Sequence, residues 1–151
     1  MAKTMTSTYT KLGALMVATA LTTGMSTATA ATSTPITIRA GNTVFNATLN
    51  DNTTARDFIG ALPITLKMTR WGDREYYGKP GLKLSDQSPK RNGFDNGDVA
   101  WWPTGGSFAI FFNNKVNPDI SDLIVIGKIS SDLKPFDTLG EVVEMRIELA
   151  R

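Results

Sequence analysis

The sequence predicts a mainly β domain that carries one or two short helices, and three observations support this fold class. Several segments alternate apolar and polar residues with a period of two, which is typical of half-buried strands. Turn residues, among them the Asn-Gly pairs at 92–93 and 96–97, separate these segments at short intervals. Only residues 51–62 space their apolar side chains clearly as a helix does. The pattern favours an all-β barrel or sandwich with a small helical cap.

The predicted strands number seven or eight, and one of them differs from the rest because both of its faces are apolar. In residues 107–113, Phe108 and Ile110 lie on one face while Ala109 and Phe111 lie on the other. Such a strand is expected at the centre of a sheet that is covered on both sides. The other clear strand segments are residues 36–39, 43–49, 64–68, 98–102, 123–129 and 141–149, of which the first two form a predicted hairpin.

The predicted helix spans residues 51–62 and is only about two turns long. Asn52 or one of the two threonines that follow can cap it, and Thr54-x-x-Asp57 has the form of a weak capping box. Gly60 and Pro63 indicate where the helix ends. A further helical turn is expected within residues 131–139.

The first 30 residues have the three parts of a cleavable signal peptide. Lys3 and Lys11 give a positive start, residues 12–21 are apolar, and Ala28-Thr29-Ala30 fits the cleavage pattern. The apolar run is too short for a membrane-spanning helix, and the chain has no cysteine to carry a lipid anchor. We therefore expect a mature domain at residues 31–151 that is periplasmic or secreted and has no membrane anchor.

Charge gives no reason to expect a nucleic-acid partner. Two of the 16 basic residues lie in the predicted signal peptide, whereas all 14 acidic residues lie after it, so the mature domain is expected to have no net charge. The basic residues that remain form no run. Nothing in the sequence specifies an oligomeric state.

The chain contains no cysteine and no histidine, and this restricts its chemistry. A nucleophile paired with an imidazole base and a zinc site built on these ligands are both excluded. The acidic segment at residues 95–98 lacks the spacing of an EF-hand, and its Asn-Gly pair is better explained as a turn. We predict neither a metal site nor a cofactor.

Residues 97–103 (Gly-Asp-Val-Ala-Trp-Trp-Pro), followed by the apolar strand at 108–112, resemble the small bacterial and archaeal cyclophilin-like proteins. The early hairpin, the short helix, and the segments at 69–73 and 125–129 occur in the same order as in that family, so the resemblance covers residues 36–149. It implies a compact, closed cyclophilin-like β-barrel. It does not imply isomerase activity, because the Phe-Met-Ile-Gln-Gly-Gly run of catalytic cyclophilins and their histidine are missing here.

Two arginines are the candidate catalytic residues if the domain is nevertheless a peptidyl-prolyl isomerase. Such an enzyme needs an arginine beside an apolar floor, to hydrogen-bond the prolyl nitrogen as the amide twists. Arg70 and Arg74 flank Trp71 and are the candidates. The simpler interpretation, which we favour, is that they are solvated or form salt bridges to Asp73 or Glu75.

An aromatic set offers a surface for binding a peptide or a small molecule, and it consists of Trp71, Tyr76, Tyr77, Trp101 and Trp102. The candidate ligand-binding residues are Trp71, Tyr76, Trp101 and Trp102, because aromatic side chains give a large contact area at low entropic cost. The alternative is that they pack in the barrel. Neighbours on a strand face opposite ways, so one of Trp101 and Trp102 should point inwards.

Three functions remain open from the sequence. The favoured one is an exported, non-catalytic barrel that binds a ligand or a peptide. The second is a divergent prolyl isomerase, and the third is an assembly subunit of a cell-envelope complex.

Overall fold

A computed structural model of the chain describes residues 30–151. The predicted signal peptide lies outside the described residues, apart from Ala30. Within the described part, no helix has both the length and the apolar character needed to cross a membrane.

Eight antiparallel strands close into one barrel, which confirms the predicted fold class and decides between the barrel and the sandwich. Going round the barrel, the strands occur in the order β1-β2-β7-β5-β6-β4-β3-β8, and β8 pairs with β1 to complete the closure. The strands are β1 (Thr34–Ala40), β2 (Thr43–Leu49), β3 (Ile64–Trp71), β4 (Glu75–Gly78), β5 (Asp98–Trp102), β6 (Ser107–Phe111), β7 (Ile124–Ile129) and β8 (Val142–Leu149).

The helix α1 (Thr53–Gly60) forms where the sequence predicts it, but the predicted capping box is wrong. Asn52 caps the helix, and its side-chain oxygen accepts a hydrogen bond from the backbone N–H of Ala55 at 2.8 Å. Asp57 instead accepts from the backbone N–H of Ser85 at 2.8 Å. Thr54 donates to the backbone oxygen of the same Ser85 at 2.6 Å. Both side chains therefore tie the helix to a distant loop rather than to its own first turn.

Aromatic stacking closes the barrel at both ends. Phe58 of α1 stacks on Phe108 with the ring centroids 4.8 Å apart. A short 3-10 helix, Lys134–Thr138, inserts Phe136, which stacks on Phe45 at 3.9 Å and on Phe112 at 5.6 Å. Since Phe108 and Phe112 lie four residues apart along an extended chain, the helix and the 3-10 helix cover opposite ends of the barrel core.

The outer face of the barrel is covered at one place, over strands β4, β6 and β5. All five residues of β6 are buried, so the prediction of a strand covered on both faces is confirmed. Phe108 and Ile110 belong to the core inside the barrel, whereas Ala109 and Phe111 pack outside it. Phe94 lies on Phe111 with the centroids 4.2 Å apart. This second apolar layer forms the base of the pocket described next.

Candidate functional site

A pocket of about 320 Å³ lies on the outer face of the sheet, beside this second layer. Its floor is apolar and comes from Ala109 and Phe111 of β6, together with Leu123 and Ile120 of the segment that precedes β7. Ala109 pairs with Tyr77, and its small side chain leaves space above this part of the floor.

Trp71 and Tyr77 form one wall of the pocket. Trp71 ends β3 and is 58% exposed, more than any other large hydrophobic residue within residues 30–151. Tyr77 follows on the neighbouring strand β4, where β3 and β4 pair Trp71 with Glu75. The rings of Trp71 and Tyr77 meet edge to face, with centroids 6.2 Å apart and planes 68° apart. Two rings at this angle form a corner against which a flat or branched apolar group can pack.

Trp102 forms the opposite wall, and two contacts fix its indole ring. Its Nε1–H donates to the backbone oxygen of Ser121 at 3.1 Å. The ring also lies against the Cα of Gly105 in the turn between β5 and β6, so closely that a Cβ there would be 2.4 Å from Cε3. The wall is therefore rigid before any ligand arrives, which lowers the entropic cost of binding.

An ion pair between adjacent residues, Arg74 and Glu75, lies at one end of the pocket. Nε and NH2 of Arg74 each lie 2.9 Å from Oε2 of Glu75, and both side chains are more than nine-tenths buried. NH1 of Arg74 donates to the backbone oxygen of Asn117 at 3.0 Å. The guanidinium also lies over the rings of Phe94 and Phe111, at 5.8 and 6.0 Å from their centroids. These contacts hold the charge of Arg74 in place at the pocket edge.

Burial is the dominant influence on the protonation of Glu75. It raises the pKa of this carboxyl above its ordinary value, because the charged form loses hydration. The positive charge and hydrogen bond of Arg74 act in the opposite direction and only partly offset the effect.

Of the four predicted binding residues, the structure brings Trp71 and Trp102 to the pocket and places the other two elsewhere. Tyr76 is 0% exposed and Trp101 is 3% exposed, and both belong to the core inside the barrel. One of the two adjacent tryptophans therefore does point inwards, and it is Trp101. The same alternation along β4 turns Tyr76 inwards and Tyr77 outwards.

Of the two candidate arginines, only Arg74 lines the pocket. The side chain of Arg70 is 8% exposed and caps the end of the barrel core. Its NH1 donates to the backbone oxygen of Phe136 at 2.7 Å and lies 3.0 Å from Oη of Tyr76. Both arginines form the salt bridges of the simpler interpretation, Arg70 to Asp73 at 3.0 Å and Arg74 to Glu75.

Three residues that line the pocket were not candidate binding residues: Tyr77 was only a member of the aromatic set, Glu75 only a salt-bridge partner, and Lys79 was not singled out. They occupy every second position along β4 and just beyond it, so a strand assigned to residues 75–79 with Tyr76 inside would have found them. The sequence did not predict this strand, because β4 has only four residues and three of them are buried, so it shows no alternation of apolar and polar residues.

The acidic turn at residues 95–98 behaves as its turn chemistry predicts. Oδ2 of Asp98 accepts from the backbone N–H of Asp95 at 2.8 Å, and Gly97 has a positive φ of 87°. Oδ1 of Asp98 also accepts a charged hydrogen bond from Lys128 at 3.1 Å. Within residues 30–151, no group of three or more metal-ligating side chains is placed to hold an ion.

Comparison with known proteins identifies a family and a structure of similar fold. A family model described as the cyclophilin-like family matches residues 38–148. The solution structure of a hypothetical protein from Archaeoglobus fulgidus superposes with a TM-score of 0.65 and 23% sequence identity, covering 82% of this chain and 99% of that chain. At this identity the structural match shows the fold alone. A search of curated proteins found no match.

Proposed function

The chain belongs to the cyclophilin-like family, and we propose that it is a non-catalytic binding domain whose outer pocket holds a short peptide or a small apolar ligand. The observation that carries this proposal is the pocket itself, with Trp71 and Tyr77 facing the immobilised Trp102 across an apolar floor. A concave, mainly apolar site with a few placed polar groups is the usual form of a ligand site.

The chemistry of the lining supports binding rather than covalent catalysis. The chain has no cysteine or histidine, and the one carboxylate that lines the pocket, Glu75, is already paired with Arg74. The only hydroxyls in the lining are those of Tyr77 and Ser107, and Oγ of Ser107 donates to the backbone oxygen of Gly105 at 3.3 Å. We also propose export to the periplasm or beyond, on the basis of the predicted signal peptide.

Intrinsic tryptophan fluorescence tests the binding proposal directly, because two of the three tryptophans line the pocket. We expect apolar N-acetylated peptides to change the emission of the wild type, and Trp102→Phe and Trp71→Phe each to weaken binding by roughly tenfold or more. Val44→Ala provides a matched control, since Val44 is an exposed hydrophobic residue on β2, across the barrel from the pocket. A screen in which no peptide or small apolar molecule perturbs the emission would refute the proposal.

A second candidate function, peptidyl-prolyl isomerisation, is favoured by one observation. Arg74 lies at the edge of the apolar floor, beside Phe111, where an isomerase would need a donor to the prolyl nitrogen. A protease-coupled proline isomerisation assay decides the question. Acceleration that falls at least tenfold in Arg74→Lys but persists in Arg70→Lys would support it, and no acceleration at micromolar protein would exclude it.

A further inference from the structure

One carboxylate oxygen in the pocket has no partner within the described residues. Oε2 of Glu75 makes both contacts with Arg74, whereas Oε1 makes no hydrogen bond to any of residues 30–151. In that part of the chain, no fully buried side-chain nitrogen or oxygen lacks a partner. Oε1 is therefore accessible to solvent, and because Glu75 lines the pocket, this oxygen is the one that can accept a hydrogen bond from a ligand there.

The charge of Glu75 is nevertheless already balanced. Arg74 holds it at 2.9 Å, so the pair as a whole is neutral. A second cation at this point would have to compete with a guanidinium that makes two contacts to Oε2 and is also held by Asn117, Phe94 and Phe111. A neutral N–H donor needs no such displacement, so an amide suits Oε1 better than an ammonium group does.

Lys79 supplies a positively charged hydrogen-bond donor at the other end of the pocket. Its side chain is exposed and forms no salt bridge within the described part of the chain. It follows Gly78, which pairs with Phe108, whereas Glu75 pairs with Phe111 at the far end of β6. Four residues of extended chain separate Glu75 and Lys79, a distance of roughly 13 Å between their Cα atoms.

Because Arg74 and Glu75 cancel, Lys79 leaves the lining with one uncompensated positive charge. A complementary ligand thus carries one negative charge at the Lys79 end, an N–H donor at the Glu75 end, and an apolar group between them over Ala109. A lysine side chain reaches about 6 Å from its Cα, so two extended residues of a peptide bridge the remaining distance.

From these positions we infer that the pocket binds the carboxyl terminus of a peptide, with the terminal carboxylate at Lys79, an apolar last side chain between Tyr77 and Trp102, and a backbone N–H on Glu75. This inference rests on the proposed binding function and makes it more specific. An internal peptide segment has the N–H and the apolar side chain but lacks the charge.

The test compares N-acetyl-Gly-Leu with a free carboxylate and the same peptide as its carboxamide, each titrated by tryptophan fluorescence. We expect the free acid to bind the wild type at least tenfold more tightly at low salt, and the ratio to fall as salt rises. Lys79→Gln should reduce the ratio to about one. Lys83→Gln, an exposed lysine outside this pocket, should leave the ratio unchanged.

A third probe tests the Glu75 end. An ester analogue, in which oxygen replaces the glycine N–H, should bind roughly tenfold more weakly than the amide-linked acid, because a charged acceptor loses its donor. Equal binding of the free acid and the carboxamide would overturn the inference and leave the binding function standing. Failure of every peptide and small apolar molecule to bind would remove both. Tight binding of the free acid that survives Lys79→Gln would also overturn it, because the carboxylate would then lie elsewhere.

Discussion

Gly105 lies against the face of the Trp102 indole, so that a Cβ at position 105 would be 2.4 Å from Cε3 and 2.5 Å from Cζ3 of that ring. Real Cβ atoms do not approach ring carbons so closely, and the indole cannot move away freely. Its Nε1–H is hydrogen-bonded to Ser121, which belongs to the segment leading into β7. The turn between β5 and β6 and the segment before β7 therefore hold this wall of the pocket together.

Gly105→Ala should push the indole of Trp102 out of position. We expect a loss of about 1–3 kcal/mol in the free energy of unfolding, as is usual for overpacking, together with a shifted fluorescence emission and weaker ligand binding. Gly60→Ala is the matched control, because nothing lies within 4 Å of its added Cβ and alanine favours the helix end that it occupies. Chemical denaturation and emission spectra measure both variants, and unchanged Gly105→Ala spectra would contradict the fixed wall.

The two adjacent tyrosines of β4 should respond in opposite ways to the loss of their hydroxyls. Oη of Tyr76 lies 2.8 Å from the backbone oxygen of Gly140 and 3.0 Å from that of Leu139, and it also contacts Arg70. Tyr76→Phe removes these part-buried contacts, one of which is to a charged guanidinium, at a cost of about 1–3 kcal/mol in unfolding free energy.

Tyr77→Phe is the control for this pair. Tyr77 is half-buried and its hydroxyl has no hydrogen-bond partner within residues 30–151, so a loss below about 0.5 kcal/mol is expected. Urea denaturation compares the two variants. Equal losses would show that the Tyr76 hydroxyl does not hold the barrel end.

Alternation along the sequence predicts most of the strands but not the direction in which each one faces. β2 and β5 have the predicted bounds, and all other strands except β4 lie within two or three residues of a predicted segment. The sequence pattern does not predict β4, because this strand has four residues, of which only Tyr77 is not buried. A period of two needs a longer run before it can be distinguished from a loop.

The same ambiguity accounts for the candidate site. Two adjacent aromatic residues on a strand must face opposite ways, but nothing local says which of them faces the core. The register of β5 with β6, in which Trp101 pairs with Phe108, settles the direction for Trp101 and Trp102. Glu75 lies at the pocket because it pairs with Phe111 on β6. Neither composition nor residue spacing predicts this long-range pairing.

Breaking the buried ion pair from one side should cost more than removing it altogether. Arg74→Gln leaves the Glu75 carboxylate and the Asn117 carbonyl without their donor, and we expect a loss of about 3 kcal/mol in unfolding free energy. In Arg74→Gln/Glu75→Gln the unpaired charge is gone, so at least about 1 kcal/mol should be recovered.

Arg146→Gln is the control for the ion pair, because Arg146 and Glu148 form an exposed pair on β8 and its loss should cost less than about 1 kcal/mol. Denaturant unfolding of the wild type, Arg74→Gln, Glu75→Gln and the double variant gives the coupling free energy of the pair, with Arg146→Gln alongside them. If the double variant were less stable than either single variant, the pair would not be the source of the loss.

The protonation of Glu75 should make the stability of the wild type depend on pH in a predictable direction. Burial raises the pKa of Glu75 in the folded protein above its ordinary value of 4.5, so the folded state holds the proton more tightly than the unfolded chain. The resulting stabilisation is fully present below about pH 4.5 and is lost as the pH rises through the raised pKa. Glu75→Gln removes this titration while keeping the shape of the side chain. The difference in unfolding free energy, wild type minus Glu75→Gln, should therefore decrease from pH 4 towards neutrality and then stay constant.

The substitution Arg74→Gln removes the charge that lowers the pKa of Glu75. When the same difference is measured in the Arg74→Gln background, its decrease should therefore extend to higher pH. A difference that increases with pH would show that the attraction of Arg74 outweighs burial.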